Sequence, residues 1–172
     1  MSKQARKRQD IVDLLADHML AHGLSGSSLR PLAAAVGTSD RMLLYYFRDK
    51  ADLVAATLEQ VARRMQALLD AVPPEKRPLD EVVAALADLV ASAAVWPYMR
   101  LWLEIASQAA NGDAVCRVVG GQIGRGLLDW GRSRLSSPPD QLDRDAARLL
   151  ATIEGLVLLQ ALGLDDIARA AI

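Results

Sequence analysis

One short segment of this sequence, residues 40–47, concentrates side chains suited to recognition chemistry. Leu43 and Phe47 lie four residues apart and are predicted to face a core. The remaining side chains are free to form hydrogen bonds and apolar contacts with base edges, which differ for all four base pairs in a DNA major groove. Whether the segment can recognise DNA depends on the helices that position these side chains. These available side chains are Asp40, Arg41, Met42, Tyr45 and Tyr46.

Two short helices are predicted to position these side chains. Ser27 or Ser28 can cap a first helix that ends at Val36. The tight turn Gly37-Thr38-Ser39 follows, and Ser39 caps a second helix that ends near Phe47. Two such helices joined by a glycine-containing turn form a helix-turn-helix, whose second helix enters the major groove. The side chains expected to hold the first helix against its neighbours are Leu32, Ala33, Ala35 and Val36.

The Gly23 turn and the segments 28–39 and 43–53 resemble the TetR family of repressors. The family pattern is a small-residue turn, Ser, three variable residues, Leu-Tyr-x-His/Tyr-Phe, two further residues, Lys, and Leu shortly after. The match covers about the first third of the chain, and Leu44 departs from it by replacing the usual Tyr. The resemblance implies an all-α fold. Such a fold has an N-terminal three-helix helix-turn-helix DNA-binding domain, residues 1–49, and a C-terminal helical ligand-binding and dimerisation bundle, residues 50–172.

The resemblance also assigns DNA contacts by position. Arg30, on the first helix of this pair, is similar to the family residue that reaches a phosphate or base edge, and Lys50 is similar to the phosphate-binding lysine. Asp40 has two open interpretations, because a carboxylate can accept from a cytosine amino group or simply stabilise the first turn of a helix. The full implied set comprises Ser28, Arg30 and Ser39, the base-reading Asp40, Arg41 and Met42, the backbone-holding Tyr45 and Tyr46, and Lys50.

Charge and composition agree with a cytoplasmic DNA-binding protein. Residues 1–50 contain eight basic and five acidic side chains, whereas the whole chain has a formal net charge of −1. The basic run from Lys3 to Arg8 is either an arm along the phosphate backbone or a frayed, solvated terminus. The single Cys116 excludes an intrachain disulfide and suits a reducing compartment. No signal peptide or stretch of about 20 apolar residues is recognised, so no membrane association is expected.

The rest of the chain is predicted to be helical, over about 4–21, 50–71, 79–94, 97–110, 114–135 and 141–163, with a short helix after Asp165. The family resemblance implies a small-molecule effector, and an apolar one suits the aromatic and methionine side chains of this region. Arg100, Glu104 and Gln108 recur every four residues and are predicted to form a solvated stripe. The candidate effector-binding residues, which are equally compatible with an ordinary core, are Met65, Trp96, Tyr98, Met99 and Trp102.

A helix that is apolar on almost every side, as residues 146–164 are, must be buried on more than one face. We expect one face to meet the core and another to meet a second subunit in a symmetric four-helix interface. Gly120, Gly121 and Gly124 allow close helix approach in the preceding helix. The candidate interface residues are Ile123, Leu127, Trp130, Ile153, Val157 and Gln160.

Catalysis and metal binding find little support. His18 and His22 lie four residues apart, but Met19 replaces the glutamate of a zinc-protease motif and no third ligand is evident. The sequence therefore predicts no enzyme, no metal and no cofactor. The leading hypothesis is a homodimeric repressor that binds a palindromic operator and is released by a small apolar effector. The alternative is a helical ligand-binding or scaffold protein whose helix-turn-helix no longer binds DNA.

Overall fold

The computed structural model describes residues 2–24 and 28–172 and contains helices without strands in that part of the chain. The predicted all-α fold is thereby confirmed. Ser27, one of the two predicted caps of the first helix of the helix-turn-helix, lies outside the described residues. The helices are α1 (Lys3–His22), α2 (Leu29–Ala35), α3 (Asp40–Tyr46), α4 (Lys50–Asp70), α5 (Leu79–Ala91), α6 (Trp96–Ala110), α7 (Ala114–Arg134), α8 (Leu142–Ala161) and α9 (Asp165–Ala170).

Most helix ends lie within one or two residues of the predicted ones, because caps and glycines are local signals. The largest difference is at α5, which ends at Ala91 instead of residue 94. Ser92 takes over there, with extended backbone and a side chain that donates to the Leu89 carbonyl at 2.7 Å. Within the described residues no single helix is both long and apolar enough to cross a bilayer; α5 and α6 reach that composition only when counted together.

The chain divides into two compact units. Unit 1 comprises Met1–Ala67 and Leu101–Gly120, and unit 2 comprises Leu68–Arg100 and Gly121–Ile172. These two units do not coincide with the two predicted domains, residues 1–49 and 50–172. The predicted boundary divides the expected DNA-binding function from the expected ligand-binding and dimerisation functions, and it stays a prediction.

The core of unit 1 forms where α1, α2 and α4 turn their apolar sides inward. Leu15, Leu32 and Leu58 are at most 1% exposed. Leu14 on α1 is apolar but 50% exposed, whereas Val12 is buried. Residues two apart in a helix differ by about 200° in direction, so Val12 and Leu14 lie on nearly opposite sides of α1 and only one of them can face the core.

The core of unit 2 is built around the packing of α5 against α8. Val82, Leu86 and Val90 on α5 and Leu149 and Leu156 on α8 are all buried. The helix α7 approaches α8 closely at Gly131, where a Cβ atom would lie 3.0 Å from a methyl group of Leu149. A Cβ at Gly124, one of the glycines predicted to allow close helix approach, meets no atom within 4 Å in the single chain, and its place in a subunit interface stays a prediction.

Candidate nucleic-acid interface

The turn between α2 and α3 is held by backbone hydrogen bonds that depend on Gly37. The Gly37 N–H donates to the Ala34 carbonyl at 3.1 Å, and the Thr38 N–H donates to the Ala33 carbonyl at 2.9 Å. These two bonds form a Schellman motif, which requires the left-handed conformation that Gly37 adopts, with φ of +66°. The Ser39 hydroxyl then accepts from the Met42 N–H at 3.3 Å and so caps α3 as predicted. Local sequence therefore determines this turn.

The helix α3 has one buried side and one exposed side. Leu43 and Phe47 are at most 2% exposed and anchor the helix on unit 1. The opposite side carries Met42, Leu44 and Tyr45, which are 43%, 46% and 64% exposed. We define the reading surface as the predicted DNA-binding residues, which are exposed except for the half-buried Tyr46: Ser28, Arg30, Ser39, Asp40, Arg41, Met42, Tyr45, Tyr46 and Lys50.

Side chains of α1 and α4 contact the residues at the C-terminal end of α3. The Arg8 guanidinium lies over the Phe47 ring at 4.6 Å and 3.8 Å from the Asp52 carboxylate. Asp49 caps α4 by accepting from the Asp52 N–H at 2.8 Å, and Asp52 accepts from the Arg48 N–H at 3.0 Å. These contacts fix the angle between the helix that would enter a groove and the helix α4.

The basic run at the N-terminus is helical rather than frayed. The Ser2 hydroxyl accepts from the Ala5 N–H at 3.1 Å, and α1 begins at Lys3. Arg8 has a structural partner in Phe47, so it is the member of the run that is least free to bind a phosphate. Lys3, Arg6 and Lys7 are exposed on the first two turns of α1.

Ion pairs within unit 1 leave the cations of the reading surface accessible. Asp13 and Asp17 on α1 pair with Arg64 on α4, at 3.3 Å and 2.5 Å. Among the described residues, neither Arg30 nor Arg41 forms an ion pair with a carboxylate within 4.0 Å. Asp13 and Asp17, which lower the net charge of this region, are therefore held in ion pairs with Arg64. The exposed guanidinium groups of Arg30 and Arg41 are available to a polyanion.

The turn after α1 is held by a residue that the sequence pattern assigned elsewhere. The Glu104 carboxylate on α6 accepts from the Leu24 N–H at 2.7 Å and touches Gly23 so closely that a Cβ there would collide with it. Gly23 has φ of +76°. Glu104 is half-buried, so its predicted place in a solvated stripe is wrong. Eighty residues separate it from Leu24, and no local pattern reports such a contact.

The five candidate effector-binding residues are divided between the two units. Met65 and Trp102 belong to unit 1, and Trp96, Tyr98 and Met99 belong to unit 2. Met99 is buried and the other four are half-buried. Their role in effector binding stays a prediction.

The candidate subunit-interface residues differ in accessibility. Val157 is 1% exposed and Trp130 is 8% exposed within the single chain. The half-buried candidates are Ile123, Leu127, Ile153 and Gln160. Among the described residues there is no group of three or more His, Cys, Asp or Glu side chains that could hold a metal ion.

Comparison with known proteins agrees with this geometry. Residues 11–64 match the family model described as bacterial regulatory proteins, tetR family. The N-terminal region is a TetR-family domain. The match includes the whole helix-turn-helix and most of α4, with which the reading surface is continuous.

The match to solved structures of the same fold covers nearly the whole chain. A transcriptional regulator from Rhodococcus sp. Rha1 is 22% identical, with a TM-score of 0.75 and coverage of 95% of this chain and 90% of its own. A TetR-family regulator from Cytophaga hutchinsonii is 19% identical, with a TM-score of 0.75 and coverage of 99% and 91%. The multidrug binding protein EbrR, complexed with imidazole, is 24% identical, with a TM-score of 0.67 and coverage of 99% and 88%. The fold of this chain is therefore similar to that of these regulators over nearly its whole length.

Proposed function

We propose that this TetR-type protein is a homodimeric repressor that binds a palindromic DNA operator through the reading surface and is released by a small effector. The observation that carries the proposal is the contrast on α3 between the buried Leu43 and Phe47 and the exposed Arg41, Met42 and Tyr45. A helix anchored by one side and exposed on the other can enter a major groove without disturbing the core.

Each part of the reading surface has a distinct expected role. Arg41 near the start of α3 is exposed, which suits a contact with base edges, and Arg30 and Lys50 add exposed positive charge to the reading surface. Lys50 also lies near Asp113, whose carboxyl pKa is lowered mainly by the hydrogen bond from the Cys116 N–H and further by the Lys50 charge. Arginine bonds bidentately to guanine, whereas lysine binds phosphates as a point charge. We therefore expect Arg41 to contribute to sequence preference and Lys50 to affinity.

The test of DNA binding begins with selection of bound fragments from random double-stranded DNA. Affinity for the selected sequence is then measured against salt concentration for the wild type, Arg41→Ala and Lys50→Ala. Arg41→Ala should weaken binding by about 5- to 150-fold and relax the preference at one base pair. Lys50→Ala should reduce the slope of log affinity against log salt by about 1 for all sequences.

The matched control is Lys76→Ala, which removes an exposed lysine from the loop between α4 and α5 in unit 2. It should bind DNA as the wild type does. If no fragment is enriched, or if all three variants bind like the wild type, the proposal is wrong and the chain is a scaffold with a helix-turn-helix fold.

Support for dimerisation comes from the exposed side of α8. Leu158 is 50% exposed and Leu162 is 64% exposed. A Cβ added at Gly155 meets no atom within 4 Å, so this part of the helix surface is open. We define the α8 stripe as the exposed residues on this side, which are uncharged and mostly small: Ala147, Ala151, Gly155, Leu158 and Leu162.

A second copy of the same chain is the occupant that the α8 stripe fits best. Small residues let two helix backbones approach closely, and the leucines beside them supply apolar area. A two-fold axis pairs such a stripe with itself, as an isologous interface requires. Two reading surfaces would then bind half-sites about 34–36 Å apart, one helical turn of DNA. This proposal replaces Val157 and Trp130, which are buried in the single chain, by exposed residues of α8.

The effector is proposed from two observations of different kind. EbrR has this fold and is described as a multidrug binding protein complexed with imidazole. In this chain the helices α4 and α6 each contribute to both units, and Glu104 on α6 bonds the turn next to α2. A ligand that favours one arrangement of these helices would shift the population of DNA-binding dimers.

The effector proposal is tested by repeating the DNA-binding measurement in the presence of apolar cations, neutral aromatic compounds and small acids. A compound supports it if it lowers operator affinity at least fivefold for the wild type and binds the DNA-free protein directly. Tighter operator binding with a compound would indicate a co-repressor, and the release mechanism would then be wrong.

A further inference from the structure

The C-terminal end of α1 carries both histidines of the chain. His18 and His22 lie four residues apart, so they share one side of the helix. His22 is exposed and His18 is half-buried. The pair is therefore a surface feature of unit 1 that small ions in solution can reach.

The two imidazole rings lie at the separation that a shared metal ion requires. Their centroids are 4.6 Å apart, and their planes are inclined by 48°. A ring centroid lies about 3.1–3.2 Å from an ion bound to one of its nitrogens, since metal–nitrogen distances are about 2.0–2.1 Å. Two rings that bind one ion at an angle of about 90–110° therefore have centroids about 4.4–5.2 Å apart. The observed separation falls within this range.

The ring nitrogens are not used to hold the fold together. Within residues 2–24 and 28–172, neither imidazole takes part in a hydrogen bond or an ion pair. The terminal torsion of a histidine side chain has a broad distribution, so an exposed ring turns readily. His22 can therefore direct a nitrogen towards an ion at His18 without losing a hydrogen bond within this part of the chain.

The position of the pair in α1 favours a cation. His22 is the last residue of the helix, where the helix dipole places partial negative charge. Imidazole nitrogens suit the late first-row transition metals, whereas Mg²⁺ and Ca²⁺ prefer oxygen ligands. The chemistry of the pair thus selects for a divalent transition metal.

We propose that His18 and His22 together bind one divalent transition-metal ion, with water in its remaining coordination positions. Cu²⁺ binds most tightly, and Ni²⁺ and Zn²⁺ bind less tightly. The expectation that the chain binds no metal rested on the missing third protein ligand, which a closed zinc site needs and a two-histidine site does not. The proposal is independent of DNA binding, because it involves neither the reading surface nor the α8 stripe.

The test uses the full chain without DNA and follows the imidazole proton resonances in nuclear magnetic resonance spectra. His18→Gln and His22→Gln assign these resonances, because the chain has two histidines. Zn²⁺ is titrated at pH 7.5, since the neutral imidazole is the ligand. We expect both rings to shift together and to saturate at one ion per chain, with a dissociation constant of about 10–1000 μM. Excess chelator should reverse the shifts, and Mg²⁺ should not reproduce them.

A matched variant separates joint binding from binding by single histidines. His22→Gln should weaken Zn²⁺ binding by at least about tenfold, because a second ligand on the same helix binds intramolecularly. The double variant His22→Gln/Ala5→His keeps two histidines but places them about 20 Å apart along α1. It should bind Zn²⁺ as weakly as His22→Gln does. Electron paramagnetic resonance of bound Cu²⁺ should report two imidazole nitrogens in the wild type and one in the double variant.

Three outcomes would overturn the proposal. Without a saturable shift at millimolar Zn²⁺, the two rings are only packed against each other. Wild-type affinity in His22→Gln/Ala5→His would mean that each histidine binds alone, and an equal effect of Mg²⁺ would mean a general response to divalent charge. If His18→Gln is unfolded by circular dichroism, the variants at the exposed His22 still decide between these outcomes.

Discussion

The reading surface on α3 and the α8 stripe expose apolar side chains to a similar degree and differ in what surrounds them. Tyr45 and Leu162 are each 64% exposed. Around Tyr45 the neighbouring residues include the unpaired Arg41, whereas around Leu162 the stripe contains small uncharged residues. Exposure alone therefore does not identify a partner. Apolar groups among cations suit a wet, charged DNA surface, and apolar groups among small residues suit another helix.

The largest effect is expected from a charge placed in the α8 stripe. Leu158→Glu should weaken dimerisation by at least about 100-fold, because a carboxylate and its symmetry mate would be buried together without a partner. Analytical ultracentrifugation over a range of concentrations measures it. Ala84→Glu, which adds the same charge at an exposed position of α5, should leave the dimer unchanged. A Leu158→Glu protein as dimeric as the wild type would remove the distinction between the two surfaces.

The second-largest effect is expected from the turns at Gly23 and Gly37, which precede α2 and α3, and not from the reading surface itself. Gly23→Ala and Gly37→Ala both place a Cβ at positive φ, but only at Gly23 does that Cβ meet the Glu104 carboxylate. Moving the carboxylate would break its bond to the Leu24 N–H. We expect Gly23→Ala to lower the free energy of unfolding by about 1–3 kcal/mol more than Gly37→Ala. Urea denaturation of both variants measures this difference.

A control isolates the carboxylate. In a Glu104→Ala background the additional cost of Gly23→Ala over Gly37→Ala should disappear, as a double-mutant cycle would report. Equal costs in both backgrounds would mean that Glu104 does not restrain the turn.

A smaller effect is expected at Leu44, an exposed residue of α3 that lies next to Tyr45 of the reading surface in the sequence. Leu44 is 46% exposed at the position where the resembling family has tyrosine. Leu44→Tyr adds a hydroxyl that can donate to a phosphate, and it should tighten operator binding by about two- to tenfold. Leu44→Phe, which adds the ring without the hydroxyl, is the control. Equal affinities for the two variants would show that this position does not reach the DNA backbone.

The smallest effect depends on pH and comes from α1. Burial lowers the pKa of His18, and the nearby His22, with ring centroids 4.6 Å apart, lowers it further. The folded state therefore disfavours protonation of His18. Its contribution to stability is complete above the unfolded pKa of about 6.5 and is lost as pH falls below that value. His18→Gln should have a flatter dependence of unfolding free energy on pH between 7 and 5, whereas an unchanged profile would contradict this assignment.

The sequence alone was sufficient for features whose causes are local. Gly37 and Ser39 determine the turn and the start of α3, and the spacing of Leu43 and Phe47 determines which side of α3 is buried. The exposed positions of Arg41 and Tyr45 follow from that spacing, since residues of one helix have fixed relative directions. The exposure of these positions was therefore predictable from the sequence, their contact with DNA stays a prediction, and the helix-turn-helix is confirmed by the family match.

Only the tertiary structure decided which side chains meet across long stretches of chain. Glu104 was predicted to lie in a solvated stripe, but its carboxylate accepts a hydrogen bond from the Leu24 N–H. Val157 was predicted to lie in a subunit interface, but it is buried within the single chain. Trp130 and Arg134 line the same small cavity as Val82 and Leu86, which lie far earlier in the chain. Periodicity tells which residues share a side of a helix, but the partner of that side depends on how the helices pack. That packing is a property of the whole chain.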